Sequence, residues 1–475
     1  MADRAPVFDL VIRGGRIVTP GGIITGDLAV SDGRIVALGG DIGAAEVAVD
    51  AQGRWVMPGG VDPHAHIEQM SGMGVMNADT FETATRSAAM GGTTTVISFA
   101  AQGPGQALTE TVTDYAARAA RGAMIDHAFH LTITDTSVPS FETDLAALIA
   151  RGHRSVKLFT TYDIRLGDAE ILAVMAAARA HGALVCVHAE NDAIIARARA
   201  ALIVAGKVAP RHHAAARPRV AEIEAVDRIC RFAEYLDCPV MLFHISTGEA
   251  ADAVRRAQAR GAPVSAETCP HYLLMTADIL DKPGLEGAKW MCSPPQRTAA
   301  DQAALWAALA DGTLALISSD HAPYRMDATG KLSAGPGARF DQIANGLPGL
   351  ETRAPLIFDA MMRPGGAGPE AFAEAIATAP ARIHGLPGKG VIAEGMDADL
   401  VIWDPDKTVT YAADDLHDNV GYNPWQGRAI TGWPEHVFLR GQTLAKGGRF
   451  FGSPGQGAWI DRPDPPTPLQ KQSLP

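Results

Sequence analysis

The chain has 475 residues, is 47% apolar and 20% charged, and carries a net charge of −12. A chain of this size is expected to form one large domain and a smaller one, and its acidic balance argues against binding to nucleic acid or to an anionic membrane surface. It contains no apolar run of about 18 residues that could span a membrane, and its five scattered cysteines, without a C-x-x-C pair, indicate a reduced, cytoplasmic protein.

Residues 1–55 are predicted to form short β-strands. Turn signals separate these strands at Gly14–Gly15, Gly21–Gly22 and Asp32–Gly33. The runs of high β-propensity are Leu10–Ile12, Arg16–Val18, Leu28–Val30 and Arg34–Val36. Because no helical period occurs before residue 79, the whole segment is expected to belong to a sheet.

Residues 56–387 alternate between short apolar strands and Ala-rich or amphipathic helices. The eight strand candidates are Gly60–His66, Thr94–Ala100, Ala128–Ile133, Ser155–Phe159, Leu184–His188, Val240–His244, Pro263–Glu267 and Leu314–Ser318. The clearest helix candidates are Thr80–Ala89, Phe141–Ala150, Ala169–Ala180, Ala221–Leu236 and Glu249–Ala259. Such alternation gives a parallel sheet, and eight units are the number that closes a cylinder. We therefore predict an α/β fold with a (β/α)8 TIM-like barrel.

Residues 388–455 return to a strand pattern, and Asp399–Ile402 repeats the sequence of Asp9–Ile12. Strand segments this short do not form a core alone. The two ends of the chain, 1–55 and 388–455, are therefore predicted to pair in a small β-sandwich domain beside the barrel. Residues 456–475 are rich in Pro, Gly and Gln and are predicted to form a C-terminal arm.

Five polar side chains interrupt apolar runs at the carboxyl ends of predicted barrel strands, where barrel active sites lie. They are His64, His66, His188, His244 and Asp320. Taken singly, each is better explained as a hydrogen-bonded histidine or a helix-capping aspartate. Taken together, on strands one, five, six and eight, they predict a metal site, because imidazole and carboxylate are ligands for zinc and related cations.

Lys157 lies inside the apolar fourth strand, Ser155–Phe159. A strand lysine usually extends its ammonium group to solvent, and a protonated amine would be repelled by neighbouring cations. A neutral amine that has reacted with carbon dioxide becomes an anionic carbamate, whose two oxygens could bridge two metals. The sequence alone leaves both interpretations open.

This ligand set, together with several longer motifs, resembles the cyclic amidases of the amidohydrolase superfamily, above all the hydantoinase and dihydropyrimidinase family. The resemblance covers nearly the whole chain in order. The motifs are Ser155–Phe159 followed by Tyr162, Glu267–Pro270, Cys292–Pro295, Ser319–His321, Asn345–Gly349 and Asp397–Ile402.

The resemblance implies two divalent metal ions, with zinc the expected element. His64 and His66 would bind the more buried ion, and His188 and His244 the more exposed one. Carbamylated Lys157 would bridge both, and Asp320 would complete the first.

The implied reaction is hydrolytic opening of a cyclic amide or imide by a metal-bound hydroxide, which yields an N-carbamoyl amino acid. Asp320 would carry the proton from the water to the leaving nitrogen, and the Tyr162 hydroxyl would help to stabilise the oxyanion. Backbone groups near Ser293 and Asn345 would hold the imide edge of the ring. As isolated residues, these last three would be ordinary rim or turn residues.

The residue two places after the second histidine bears on the substrate. Dihydroorotases resemble this family but carry an arginine there, which pairs with the substrate carboxylate, whereas this chain has Glu68. A carboxylate would repel an acidic substrate, so a neutral ring of the hydantoin or dihydropyrimidine type is expected. The loop 68–76 contains three methionines, which fit an adaptable substrate pocket and packing against a neighbouring loop equally well.

Two other functions are compatible with the same motifs. An allantoinase would open a ureido-bearing hydantoin with the same metals. A non-catalytic scaffold is a relative that has lost metal ligands, and it is disfavoured because every expected ligand position is filled. The expected partner is a small cyclic amide, and the resemblance implies a homodimer or homotetramer.

Overall fold

The computed structural model describes residues 7–464 of the chain. Strands from both ends of the chain form one nine-stranded sheet, which we call the sheet domain. Its strands are β1 (Phe8–Thr19), β2 (Gly22–Ser31), β3 (Arg34–Gly39), β4 (Ala45–Asp50), β5 (Trp55–Pro58), β14 (Leu400–Thr410), β15 (Ala429–Leu439), β16 (Gln442–Lys446) and β17 (Arg449–Phe450).

The two ends of the chain meet at β5. This strand runs parallel to β1 and antiparallel to β14, which confirms that the terminal segments pair with each other. Apolar side chains from both segments, including Ile12, Val30, Leu400 and Phe438, form a common buried core. Neither segment buries enough apolar surface alone, so the domain depends on both ends of the chain.

The first strand corrects one expectation. Gly14–Gly15 is not a turn but an irregularity in the register inside β1, between Ile12 and Gly15. Gly14 has a φ of +62°, which a glycine adopts without steric cost. The bulge keeps Ile12 and Ile17 both buried in the core, because the extra residue restores the alternation of side chains.

The predicted barrel is confirmed. Its strands are β6 (Gly60–Ala65), β7 (Thr93–Ala101), β8 (Asp126–Thr132), β9 (Ser155–Phe159), β10 (Leu184–His188), β11 (Val240–Leu242), β12 (Val264–Thr268) and β13 (Leu316–Ile317). Each pairs in parallel with the next along the chain. Closure occurs just beyond β13, where His321 forms a parallel bridge with Ala65; the amide of His66 donates to the His321 carbonyl at 2.7 Å.

Helices cover the outside of the barrel and connect its strands. They are α1 (Phe81–Met90), α2 (Leu108–Gly122), α3 (Phe141–Ala150), α4 (Asp168–Ala180), α5 (Asp192–Val204), α6 (His213–Ala216), α7 (Arg219–Leu236), α8 (Gly248–Ala259), α9 (Pro270–Leu274), α10 (Ala299–Ala310), α11 (Arg353–Met362), α12 (Gly368–Ala373) and α13 (Ala379–Ile383). A π-helical turn, Glu374–Thr378, joins the last two. Among residues 7–464, no helix is long and apolar enough to cross a membrane.

The first residues of the predicted C-terminal arm pack against the barrel. The amide of Gly457 donates to the Ala123 carbonyl, and the amide of His127 donates to Ala458. Arg462 is fully buried and donates to Gly152, Ser155 and Phe129. The rest of the predicted arm lies outside the described residues.

A buried charge cluster joins the barrel to the sheet domain. The ammonium group of Lys389 contacts the carboxylates of Asp126, Asp397 and Asp399 at 2.6–2.9 Å. Burial opposes the charge, but the three carboxylates together raise the pKa of Lys389. Lys389 is therefore protonated, and its positive charge stabilises the three carboxylates.

Replacing Lys389 by Met should destabilise the protein by about 3–5 kcal/mol, because it leaves Asp399 buried without a counter-ion, whereas Asp126 and Asp397 keep Arg440 and Arg34. The measurement is urea-induced unfolding. The matched control is Lys407→Met, which breaks a half-exposed pair with Glu435 and should cost less than about 1 kcal/mol. Equal losses in both variants would contradict the proposed importance of the cluster.

Candidate active site

Two groups of predicted ligands meet at the carboxyl ends of the barrel strands. In the first group, the Nε2 atoms of His64 and His66 lie 3.1 and 3.6 Å from Asp320 Oδ1, and the three side chains could hold one metal ion. In the second group, His188 Nδ1 lies 2.8 Å from His244 Nε2. The rings of His64 and His244 are 5.4 Å apart, so the two groups are neighbours.

Hydrogen bonds to the opposite ring nitrogens orient three of the four histidines. His64 donates from Nδ1 to Glu267 at 2.5 Å, and His66 donates from Nδ1 to Gln69 at 2.6 Å. His188 donates from Nε2 to Glu190 at 2.8 Å. When the ring is neutral, this hydrogen bond leaves the lone pair on the nitrogen that faces the site, as a metal ligand requires.

The protonation states of the group suit ligation. Burial lowers the pKa values of His188 and His244 well below the ordinary value, so both rings are neutral. Burial alone would raise the pKa of Asp320, but His64 and the other imidazoles hold it well below its usual range. The second group therefore offers neutral imidazoles and the first an ionised carboxylate, which are the forms that bind divalent cations. His64 differs, because the carboxylates of Asp320 and Glu267 raise its pKa against the effect of burial.

Lys157 lies at the same site and does not reach solvent. Its side chain is fully buried, and its amine lies 4.0 Å from the ring centre of Phe243 and 4.7 Å from that of Phe159. Within residues 7–464 the amine has no hydrogen-bond partner. Burial lowers its pKa to about 7, although Asp320 acts in the opposite direction. Of the two interpretations that the sequence leaves open, the ammonium group extended to solvent is thus excluded, and burial favours the neutral amine.

Tyr162 lies beside the second group, and Ser293 and Asn345 lie close to its hydroxyl, whose pKa they lower against the effect of burial. The Tyr162 ring lies 5.5 Å from that of His188, its backbone has a φ of +70°, and Arg217 stacks over it at 4.7 Å. Ser293 Oγ and Asn345 Oδ1 are buried without hydrogen-bond partners in the described part of the chain. Unsatisfied polar atoms at the edge of a site can bind a ligand that supplies the missing partners.

A buried lysine holds the Ser293 and Asn345 segments together. Lys331 donates to the carbonyls of Met291 and Ala344 at 3.2 and 3.0 Å, and the amide of Gly346 also donates to Met291 at 2.8 Å. The side chain is fully buried, and burial lowers its pKa to about 7. Lys331 thus links two segments that are more than 50 residues apart in the sequence.

Glu68 corrects the electrostatic argument about the substrate. Its carboxylate accepts from the amide of Phe81 at 2.9 Å, at the start of α1, and lies 4.0 Å from the Arg118 guanidinium. A carboxylate engaged by a helix N-terminus and an arginine repels an anionic substrate far less than a free one. The preference for a neutral ring therefore cannot rest on Glu68.

The Met-rich loop is exposed and closes on itself. Met70 pairs with Met76 in an isolated bridge, and Met70, Met73 and Met76 are 52%, 45% and 44% exposed. The conformation of the loop is therefore not determined by packing of the three methionine side chains against other parts of the chain.

Sequence reasoning missed the residues that orient the ligands. These are Gln69, Glu190, Arg217 and Glu267. Glu190 follows His188 by two residues, and Glu267 lies near the end of the seventh barrel strand, so their positions at strand ends were a usable signal. Arg217 precedes α7, outside any barrel strand, and its ion pair with Glu190 is visible only in the folded chain.

The comparisons with known proteins all indicate the same family. Residues 55–444 match the amidohydrolase family. A D-hydantoinase of Rhizobium radiobacter is 38% identical over 96% of this chain and 99% of its own length. The crystal structure of a dihydropyrimidinase from Brevibacillus agri superimposes with a TM-score of 0.92 at 33% identity, over 95% of this chain and 98% of that one. A D-hydantoinase structure from Thermus sp. gives a TM-score of 0.91 at 32% identity, over 96% and 99%.

Replacing Lys331 by Met should loosen the Ser293 and Asn345 segments, because the Ala344 carbonyl loses its donor in a buried environment. A loss of about 1–3 kcal/mol in stability is expected. Hydrogen exchange should be faster at residues 291–295 and 343–347 and unchanged in α8. The exposed Lys207→Met variant is the control, and unaltered exchange in Lys331→Met would show that the lysine does not hold these segments.

Proposed function

The chain belongs to the amidohydrolase family, and from this premise we propose that it opens the ring of a neutral cyclic amide or imide by hydrolysis. The substrate class is a hydantoin or dihydropyrimidine, and the product is an N-carbamoyl amino acid. One observation carries the proposal: the five strand-end ligands converge beside a buried lysine. The similarity to D-hydantoinases over nearly the full length supports the same reaction.

Two divalent cations, with zinc the expected element, fit the donor set. His64, His66 and Asp320 would hold one cation, and His188 and His244 the other. The geometry supports this because the Nε2 atoms of His64 and His66, together with His188 Nδ1 and His244 Nε2, face inward. When bound, the cations would lower the pKa of a water molecule and polarise the amide carbonyl.

Lys157 would complete the centre as a carbamate. A buried amine without a partner is costly, and the aromatic rings around it do not supply a hydrogen-bond acceptor. Reaction with carbon dioxide would give an anion with two oxygens that could serve as ligands for the cations. The cations would compensate its charge, which explains why the fold places a lysine where an ammonium is disfavoured.

Incubating the protein with 13C-bicarbonate and the divalent metal should produce one carbamate resonance in the 13C NMR spectrum. The signal should be missing from Lys157→Gln and present in Lys331→Met, which removes a different buried lysine. A wild-type spectrum without this resonance, or one that survives in Lys157→Gln, would rule out the carbamate.

The residues of the site can then be assigned steps. Asp320 is an ionised carboxylate beside His64 and His66. It would accept the proton of the attacking water and deliver it to the leaving ring nitrogen. The Tyr162 hydroxyl would donate to the carbonyl oxygen as negative charge develops there. Ser293 and Asn345 would bind the imide edge of the ring, since both segments carry polar atoms without partners.

Replacing Tyr162 by Phe should lower kcat by about 100- to 1000-fold with a small change in KM, because the hydroxyl acts on charge that exists only in the transition state. Steady-state kinetics test this, with the exposed Tyr235→Phe as control. An unchanged kcat would remove Tyr162 from the mechanism.

The alternatives are weaker. The relatives named above are hydantoinases and a dihydropyrimidinase, which favours these substrates over allantoin. A scaffold without activity would not need histidine rings held in fixed orientations beside an ionised carboxylate. The names of the most similar relatives also favour the D-enantiomer of a 5-substituted hydantoin.

A metal-replete substrate panel tests the function. D- and L-5-substituted hydantoins, dihydrouracil, allantoin and dihydroorotate should be assayed together, and the D-hydantoin or dihydrouracil should give the highest kcat/KM. Chelation should abolish turnover and added zinc should restore it, while Asp320→Asn should stay inactive with metal. Highest activity on allantoin or dihydroorotate, or turnover that survives chelation, would overturn the proposal.

A cytoplasmic location and a homodimer or homotetramer belong to the same proposal. All five cysteines are free and buried, as in proteins of reducing compartments.

A further inference from the structure

A second cluster of metal-ligating side chains lies inside the barrel, apart from the candidate active site. It consists of His130 on β8, Cys186 on β10 and His384, which follows α13. Their ligand atoms all lie within 4.8 Å of one another, and none of the three side chains is more than 1% exposed. The proposed reaction uses none of these residues.

An aromatic layer separates this cluster from the candidate active site. The ring of His130 lies 5.1 Å from that of Phe99 and 5.7 Å from that of Phe243. The ring of His64 lies 5.3 Å from Phe99 and 4.1 Å from Phe243. The two phenylalanines therefore contact both sites, and the two sites share no ligand.

The donor atoms of the cluster are oriented as metal ligands. His130 donates from Nε2 to the Pro63 carbonyl at 2.7 Å, which leaves the lone pair of Nδ1 facing Cys186 Sγ at 3.8 Å. Both ring nitrogens of His384 are buried without a hydrogen-bond partner among residues 7–464. A buried imidazole without any partner is unfavourable, and a metal ion would supply the missing interaction.

The separation between Cys186 and His130 matches that expected of two ligands of a three-coordinate metal. A metal about 2.3 Å from sulfur and about 2.0 Å from nitrogen, with an angle of about 120° between them, separates the two ligand atoms by about 3.7 Å. The observed separation between Cys186 Sγ and His130 Nδ1 is 3.8 Å. Two imidazoles and one thiolate would then form a trigonal site.

The surrounding charge selects a monovalent ion. The guanidinium group of Arg462 is fully buried and donates to the carbonyl of Phe129, the residue before His130 on β8, at 2.9 Å. A thiolate and a monovalent cation cancel each other, whereas a divalent ion would leave a net positive charge beside a buried arginine. Thiolate and imidazole ligands favour copper(I) among monovalent ions.

We propose that His130, Cys186 and His384 form a binding site for copper(I) inside the barrel. Binding exchanges the thiol proton of Cys186 for the metal, and the proton leaves to solvent. Sulfur and copper keep their oxidation states, so no electron acceptor is needed.

The test uses the full-length protein with its divalent metals bound. Copper(I) is added without oxygen, in competition with a chromophoric copper(I) chelator. The wild-type protein should bind one copper(I) that Cys186→Ser binds at least 100-fold more weakly. Cys238→Ser, which removes another fully buried thiol, should bind as the wild type does, and X-ray absorption should show one sulfur and two nitrogen neighbours.

Further measurements check that each variant folds and that the site prefers copper(I) to zinc. Circular dichroism and thermal unfolding check each variant, and His384→Gln, at the end of a short helix, provides a second loss of ligand that should also weaken binding. Equal copper(I) affinity in wild type, Cys186→Ser and His384→Gln would overturn the proposal. So would zinc displacing the bound copper(I) at equal concentration, because the monovalent charge argument would then fail.

Discussion

The candidate active site depends on hydrogen bonds that orient three of its four histidine rings. His64 and His188 are both buried at the barrel mouth. His64 donates from Nδ1 to the buried carboxylate of Glu267, and His188 donates from Nε2 to that of Glu190. Without these acceptors a ring could present its N–H to the site and offer no lone pair to a cation. Glu190 is in turn paired with the buried Arg217, so the orientation of the His188 ring also depends on this arginine.

The barrel brings these residues together because its first and last strands are tied by buried contacts. Arg353 donates to the carbonyls of Val61 and Ile317 at 3.0 Å and pairs with Asp62. This arginine joins β6, which ends in the first two histidines, to β13, which leads to Asp320. A shift of either strand would separate His64 from Asp320, because the two side chains come from opposite ends of the barrel sequence.

The interior of the barrel is layered by polarity. The ligands and Lys157 lie at the mouth, Phe99 and Phe243 lie beneath them, and His130, Cys186 and His384 lie below the aromatic rings. The C-terminal segment adds Arg462 near this lower cluster through buried hydrogen bonds to the barrel backbone. Because the two phenylalanine rings lie between them, the polar side chains of the two clusters do not compete for the same hydrogen-bond partners.

The sequence by itself determined which elements form and where the candidate ligands lie on them. The strands Ser155–Phe159 and Leu184–His188 and the helix Phe141–Ala150 have the predicted bounds, because their apolar periods are strong and local. The sequence also placed His64, His66, His188, His244 and Asp320 at strand ends, which a closed parallel barrel must bring to one rim. Only the tertiary structure decided what those positions could not encode: the bulge at Gly14–Gly15, the capping role of Glu68, the ring orientations set by Glu267 and Glu190, and the depth of Lys157. Each of these depends on a partner from another part of the chain, 203 residues away for Glu267 and His64, and a local pattern carries no record of such a neighbour.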